Sequence, residues 1–139
     1  MRIMILSAVA VAAFLVAIST LMLYLDGDSV DTSPDVADVI REPDIIMPTK
    51  SSRPGCEEDD TCYIPSIITV DRDYTVSWAN QDAAFHSVTS GVYGNATDLF
   101  DSGHMEYNDT FTYKFEHAGS FLYHCTLHPW MNGTIIVTE

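Results

Sequence analysis

The stretch SFLYHCTLHPWMNGTIIVT, residues 120–138, consists of two alternating runs joined by a short turn. In the first run Phe121, Tyr123 and Cys125 fall on one side, with Leu122 and His124 on the other. That period of two is what a strand with one buried face requires. GTIIVT (133–138) reads as the return strand. Between them Cys125, His128 and Met131 follow one another at intervals of three, with Pro129 and Trp130 interposed.

The same alternation recurs upstream. In YTVSWAN (74–80) Tyr74, Val76 and Trp78 share one face, and in TFTYKF (110–115) Phe111, Tyr113 and Phe115 do so. DIIMP (44–48), SIITV (66–70), HSVTS (86–90) and DLFDS (98–102) bring the total to seven or eight strands, separated by Asn, Asp and Gly turns. Short strands with turn signals and no convincing amphipathic helix predict an all-β fold, an antiparallel β-sandwich. Residues 44–139 are enough for one such domain, and the inward aromatics supply the large buried areas that a small core needs.

The remainder of the 139 residues reads differently. From Ile3 to Leu25 the chain runs 23 residues without a charge. As a helix this is about 34 Å long, enough to cross a hydrocarbon core of about 30 Å. Because TLMLYLDGD stays bulky to its end, residues 1–25 read as an uncleaved N-terminal transmembrane helix rather than a cleaved signal peptide. Arg2 precedes this span and seven acidic residues follow it before Pro54, so the charge pattern alone places the remaining chain outside the cytoplasm, on a single-pass membrane anchor. The acidic, proline-punctuated segment 26–43 reads as a flexible linker. Three sequons, at Asn95, Asn108 and Asn132, fit an exported domain.

The net charge is −14, from 6 Lys plus Arg against 20 Asp plus Glu. Such a surface repels nucleic acid. It suits solubility, or a partner with a basic face.

The three cysteines divide into a pair and a single residue. Cys56 and Cys62 enclose an acidic turn, and outside the cytoplasm they most simply form a disulfide, with a metal-binding dithiol as the alternative. Cys125 then remains alone in an oxidising compartment. Its neighbours His128 and Met131 give it a role, because thiolate, imidazole and thioether form a soft set that suits copper. A trigonal copper plane needs a second imidazole. His124 alternates to the face opposite Cys125, while His104 and His117 sit in turns, which leaves His86, at the start of HSVTS. His86, Cys125 and His128 are therefore expected in the plane, with Met131 as the long axial ligand.

With these residues in place, VSWANQDAAFHSVTSG and FTYKFEHAGSFLYHCTLHPWMNGTIIV resemble a small blue-copper protein of the cupredoxin superfamily, in its plastocyanin and amicyanin branch. The C-x2-H-x2-M spacing is most similar to amicyanin, and the CEEDDTCYIP insertion with a membrane anchor resembles archaeal plastocyanin-like proteins of the halocyanin type. The resemblance implies a Greek-key cupredoxin fold, one type 1 copper per chain, and electron transfer rather than enzymatic turnover. It further implies that the Ser87 amide bonds the copper-bound sulfur while its side chain ties that strand to the ligand loop near Thr126. The implied partners are redox proteins, here with a basic docking face and among membrane-bound respiratory or oxidase components, with neither nucleic acid nor a small-molecule substrate. Leu127, Pro129 and Trp130 are the implied docking patch around an exposed His128 edge.

Two other readings compete. In multicopper oxidases and copper nitrite reductases a histidine beside the copper cysteine leads electrons to a second copper, and His124 is placed for that role. Copper storage or delivery is disfavoured, since exported copper carriers favour methionine- and histidine-rich tracts that this chain lacks.

Overall fold

A computed structural model describes residues 41–139, and they form eight strands in two sheets. The expected membrane anchor and nearly all of the expected linker lie outside the described residues. Among those described, no helix is long and apolar enough to cross a membrane.

The strands are β1 (Ile45–Met47), β2 (Ile67–Asp71), β3 (Thr75–Asn80), β4 (Thr89–Val92), β5 (Asn95–Asp101), β6 (Thr110–Lys114), β7 (Gly119–His124) and β8 (Asn132–Thr138). One sheet has the order β1-β3-β6 and the other β2-β8-β7-β4-β5. The β4–β5 hairpin lies in the second sheet, although β3 and β6 on either side of it in sequence pair with each other in the first. The chain thus crosses between layers, which is how a Greek-key sandwich closes its core.

The expectation of a purely antiparallel sandwich is corrected. β1 pairs parallel with β3, and β2 pairs parallel with β8. Side-chain alternation reports which face is buried but carries no information about strand direction. The direction is set by the long connections, which let β1 and β2 enter the two sheets beside strands far along the chain. The strand expected at 86–90 also begins later, at Thr89, and His86 makes only an isolated bridge to Met105.

Elsewhere the alternation holds. Val76 and Trp78 are fully buried, as are Tyr123 on β7 and Ile135 on β8. Trp78 lies within 6.0 Å of the rings of Phe100, Phe111 and Tyr123, measured between centroids. Burying about 200 Å² of such a side chain is worth about 5 kcal/mol in transfer free energy, so this aromatic cluster fixes the relation of the two sheets.

Two glycines permit close approach between strands. Gly91, at φ 98°, sits where the β4–β5 register shifts, and a side chain there would strike the backbone of Asn95 and Thr97. Gly133 pairs with Tyr123 across β7 and β8, and the tyrosine ring occupies the space where a Cβ would be. Tyr123 is thereby seated two residues before Cys125, at the end of the sandwich where the loops 48–66, 81–88 and 125–131 meet.

Candidate metal centre

β7 ends at His124, so Cys125 is the first residue of the turn, and its side chain is fully buried. The turn closes on itself. The Met131 amide donates to His128 O at 3.0 Å, and the Cys125 amide donates to Met131 O at 3.1 Å. This brings all three residues of the 125–131 motif to one end of the sandwich. Met131 is fully buried and His128 half-buried.

His86 arrives from the other side. Its amide and carbonyl bond Met105 at 3.2 and 2.8 Å, which fixes its backbone without a continuous strand. His86 Nδ1 lies 3.9 Å from Cys125 Sγ, and His128 Nδ1 lies 3.5 Å from it. The two imidazole centroids are 4.7 Å apart. One donor atom from each of His86, Cys125 and His128 falls within 4.8 Å of the others. One thiol and two imidazole nitrogens at this spacing, with a buried thioether in the same turn, fit a soft or borderline transition metal and copper in particular.

The tautomer of His86 suits ligation. His86 Nε2 is 3.2 Å from Asp82 Oδ2, and a carboxylate only accepts, so Nε2 carries the hydrogen and Nδ1 presents its lone pair to the cluster. Burial pushes the His86 ring toward its neutral form, opposed by Asp82 and assisted by His128. His128 is likewise shifted down by burial, against the pull of Asp82. Burial works to raise the Asp82 carboxyl, but bonds from Lys50, Ser52 and His86 outweigh it and hold the group well below the usual carboxylate range. The carboxylate takes the amides of Lys50, Ser52 and Ala83 at 3.1, 3.0 and 2.9 Å.

The expected part of Ser87 is present in the bonds. Its amide donates to Cys125 Sγ at 3.3 Å. Its Oγ accepts the Thr126 amide at 2.9 Å and lies 3.0 Å from Thr126 Oγ1. Sequence reasoning did not find Asp82, Ser51 or Tyr63. Asp82 left one signal, an acid four residues before His86 in NQDAAFH. The other two sit in a segment that reads as loop.

The remaining histidines stay apart. His104 and His117 are exposed. His124 points away from Cys125 as alternation requires, yet it is buried on that outer face, with Nδ1 3.2 Å from Gly91 O and its ring 6.2 Å from that of Tyr93. Among the described residues His124 joins no cluster of potential metal donors. A second group, Cys56, Glu57 and Cys62, is close enough to count, but its two sulfurs form a disulfide.

Comparison with known proteins agrees with this geometry. No family model matches the chain. Amicyanin of Paracoccus versutus is 34% identical over 77 residues, covering 54% of this chain and 57% of that protein. Amicyanin of Paracoccus denitrificans is 37% identical over 65 residues, covering 45% and 48%. The chain thus spans about half the length of these relatives. A purple cupredoxin from Nitrosopumilus maritimus superposes with a TM-score of 0.63 at 30% identity, over 70% of this chain and 100% of the other. With 30% identity over the full length of that structure, and with His86, Cys125 and His128 drawn together at one end of the sandwich, the chain belongs to the cupredoxins.

Proposed function

We propose that this protein is a single-copper electron carrier, in which His86, Cys125, His128 and Met131 would hold the copper. The observation that carries the proposal is the meeting of His86 Nδ1, Cys125 Sγ and His128 Nδ1 in a largely buried pocket, with the Ser87 amide already aimed at the sulfur. Copper bound there would supply one-electron chemistry by passing between Cu(I) and Cu(II).

The protein's own residues supply rigidity, exclusion of water and an exit. Trp78, Tyr123 and Tyr63 are fully buried and pack ring against ring in the core, and the closed turn 125–131 holds its shape through its own backbone bonds. Asp82 and the Ser87 side chain fix the two segments that bring the donors together. The half-buried His128 stands among Leu127, which is 41% exposed, exposed Pro129 and half-buried Trp130. A patch of this kind suits brief contact with a redox partner. Beside it Glu57, Glu58, Asp59 and Asp60 are all exposed, which favours a partner with a basic face.

The proposal extends to location. The uncharged stretch 3–25 would anchor the chain in a membrane, with the acidic segment 26–43 as tether and the copper domain outside the cytoplasm.

The test is the copper-loaded, oxidised full-length chain. It should bind one copper, absorb strongly in the visible from sulfur-to-copper charge transfer, and show a reversible one-electron couple. Cys125→Ser should abolish the band. A colourless loaded protein, or a band that persists in Cys125→Ser, would end this reading.

A further inference from the structure

The segment Thr49–Tyr63 holds none of the four proposed ligands, yet it touches their surroundings at several points. Ser51 lies near its start and is 1% exposed. Its Oγ is 3.3 Å from His86 Nε2, so the ring N–H is shared between this hydroxyl and Asp82. Its carbonyl accepts the indole N–H of Trp130 at 3.1 Å. One buried residue therefore holds both the remote nitrogen of a ligand imidazole and the side chain immediately before Met131.

The consequence for geometry follows from degrees of freedom. An imidazole held only through Nδ1 can still tilt about that contact as its side chain moves, and partners at Nε2 fix the ring's orientation. The indole of Trp130 is 5.4 Å from the His128 ring, so anchoring it steadies the turn that carries both His128 and Met131. These two constraints act on segments separated by dozens of residues and meet at Ser51.

Ser51 is seated by its own amide bond to Pro48 O and by the Lys50 and Ser52 amides on Asp82, and the disulfide lies against it as a further tether. Cys56 Sγ lies 3.5 Å from Ser51 O, and Cys62 Sγ lies 3.9 Å from Trp130 O. The bridge between them closes the loop directly against the two groups that Ser51 joins. Tyr63, the next residue, inserts fully into the core and donates to Ser87 O at 2.7 Å. The insertion is thus fastened on both sides of the bridge, and its acidic residues are carried outward.

We propose that Ser51 is a positioning residue for the metal centre, holding the His86 ring and Trp130 from a single point, and that the Cys56–Cys62 disulfide helps keep it seated. This rests on the copper assignment above. The two parts are separable, because Ser51→Ala removes the hydroxyl while leaving the carbonyl bonded to Trp130, whereas Cys56→Ser/Cys62→Ser releases both.

The experiment compares copper affinity, by competition with a chelator, and the visible and EPR spectra of the full-length chain with those of its variants. Ser51→Ala should lose about tenfold in copper affinity and shift the copper spectrum. Ser66→Ala should change neither, since that buried hydroxyl bonds Asp60 instead. The double cysteine variant should shift the spectrum in the same sense as Ser51→Ala, and adding Ser51→Ala to it should have less than a twofold further effect on affinity. In the copper-free chain, opening the disulfide should raise acrylamide quenching of half-exposed Trp130, while Trp78 is fully buried and contributes little. A purely structural serine would lower the melting temperature and leave the spectrum unchanged. A wild-type chain that binds copper with the expected band, matched in affinity and spectrum by Ser51→Ala, refutes the positioning role alone. A wild type without the band refutes the copper reading and this role together.

Discussion

Ser87→Ala separates the scaffold's contribution to the centre from the donors themselves. The Ser87 hydroxyl accepts the Thr126 amide at 2.9 Å and lies 3.0 and 3.1 Å from the hydroxyls of Thr126 and Thr89. Alanine leaves the Thr126 N–H without this acceptor in a partly buried place, at about 1–2 kcal/mol. The two hydroxyl contacts add about 0.5 kcal/mol each, since Thr89 keeps its bond to Asp101. The sum is about 2–3 kcal/mol, or about 10–20 °C in melting temperature for a domain of this size. Urea unfolding of the copper-free chain, followed by fluorescence, measures it directly. Thr126→Val removes only the hydroxyl pair and should cost no more than about 1 kcal/mol. The sulfur's own donor is the Ser87 backbone amide, so the charge-transfer band should survive in Ser87→Ala. A cost below about 0.5 kcal/mol, or equal costs for the two variants, would refute the claim that this side chain joins the two ligand segments.

Gly133→Ala should destabilise the copper-free chain by about 2–4 kcal/mol in the same assay, because the new methyl must displace the Tyr123 ring from its packing on Tyr63 and Trp78; a cost under about 1 kcal/mol would mean that the ring has room to move. Burial raises the Tyr63 hydroxyl well above its ordinary pKa, with Cys125 and Tyr123 adding to the effect, and burial raises Tyr123 also. The fold therefore favours the neutral phenols, and their contribution is intact below the unfolded value near 10 and declines as pH rises above it, so the urea midpoint should fall between about pH 10 and 12. A flat midpoint there would contradict the burial. The acidic surface should make electron transfer to a cationic metal complex slow down with added salt and transfer to an anionic complex speed up; two flat profiles would make the charge a matter of solvation only.

Much of this molecule was legible because its signals are local. Alternation in YTVSWAN, TFTYKF and SFLYHC identifies the buried faces, since each residue's side of a strand follows from its neighbours. The C-x2-H-x2-M run fits within seven residues, and elimination among five histidines leads to His86. What the sequence conceals is non-local and polar. The parallel entries of β1 and β2 depend on connection paths rather than on side-chain pattern. Ser51 meets His86 across 35 residues and Trp130 across 79, and a serine in a loop has no feature that distinguishes this use from solvation. His124 follows its expected direction, but its burial on the outer face depends on Gly91 and Tyr93, which alternation along β7 does not report.

The arrangement of tethers follows from where the donors lie in the chain. Cys125, His128 and Met131 share one seven-residue turn, so their mutual placement is largely a local matter, settled by the bonds of that turn. His86 comes from a separate segment, and its position relative to them is as good as the connections across the gap. Those connections are concentrated there: the backbone bridge to Met105, the Ser87 amide on Cys125 Sγ, the Ser87 hydroxyl on Thr126, and Asp82 with Ser51 on the far nitrogen of the ring. A fold that needed only stability would gain more from apolar burial than from this set of buried polar contacts, each of which is costly when incomplete. An electron carrier gains something else from them, because a centre held in one geometry through both oxidation states has little to rearrange when an electron arrives or leaves. The polar network is densest around the one proposed ligand that the turn does not place, which is where such a requirement acts.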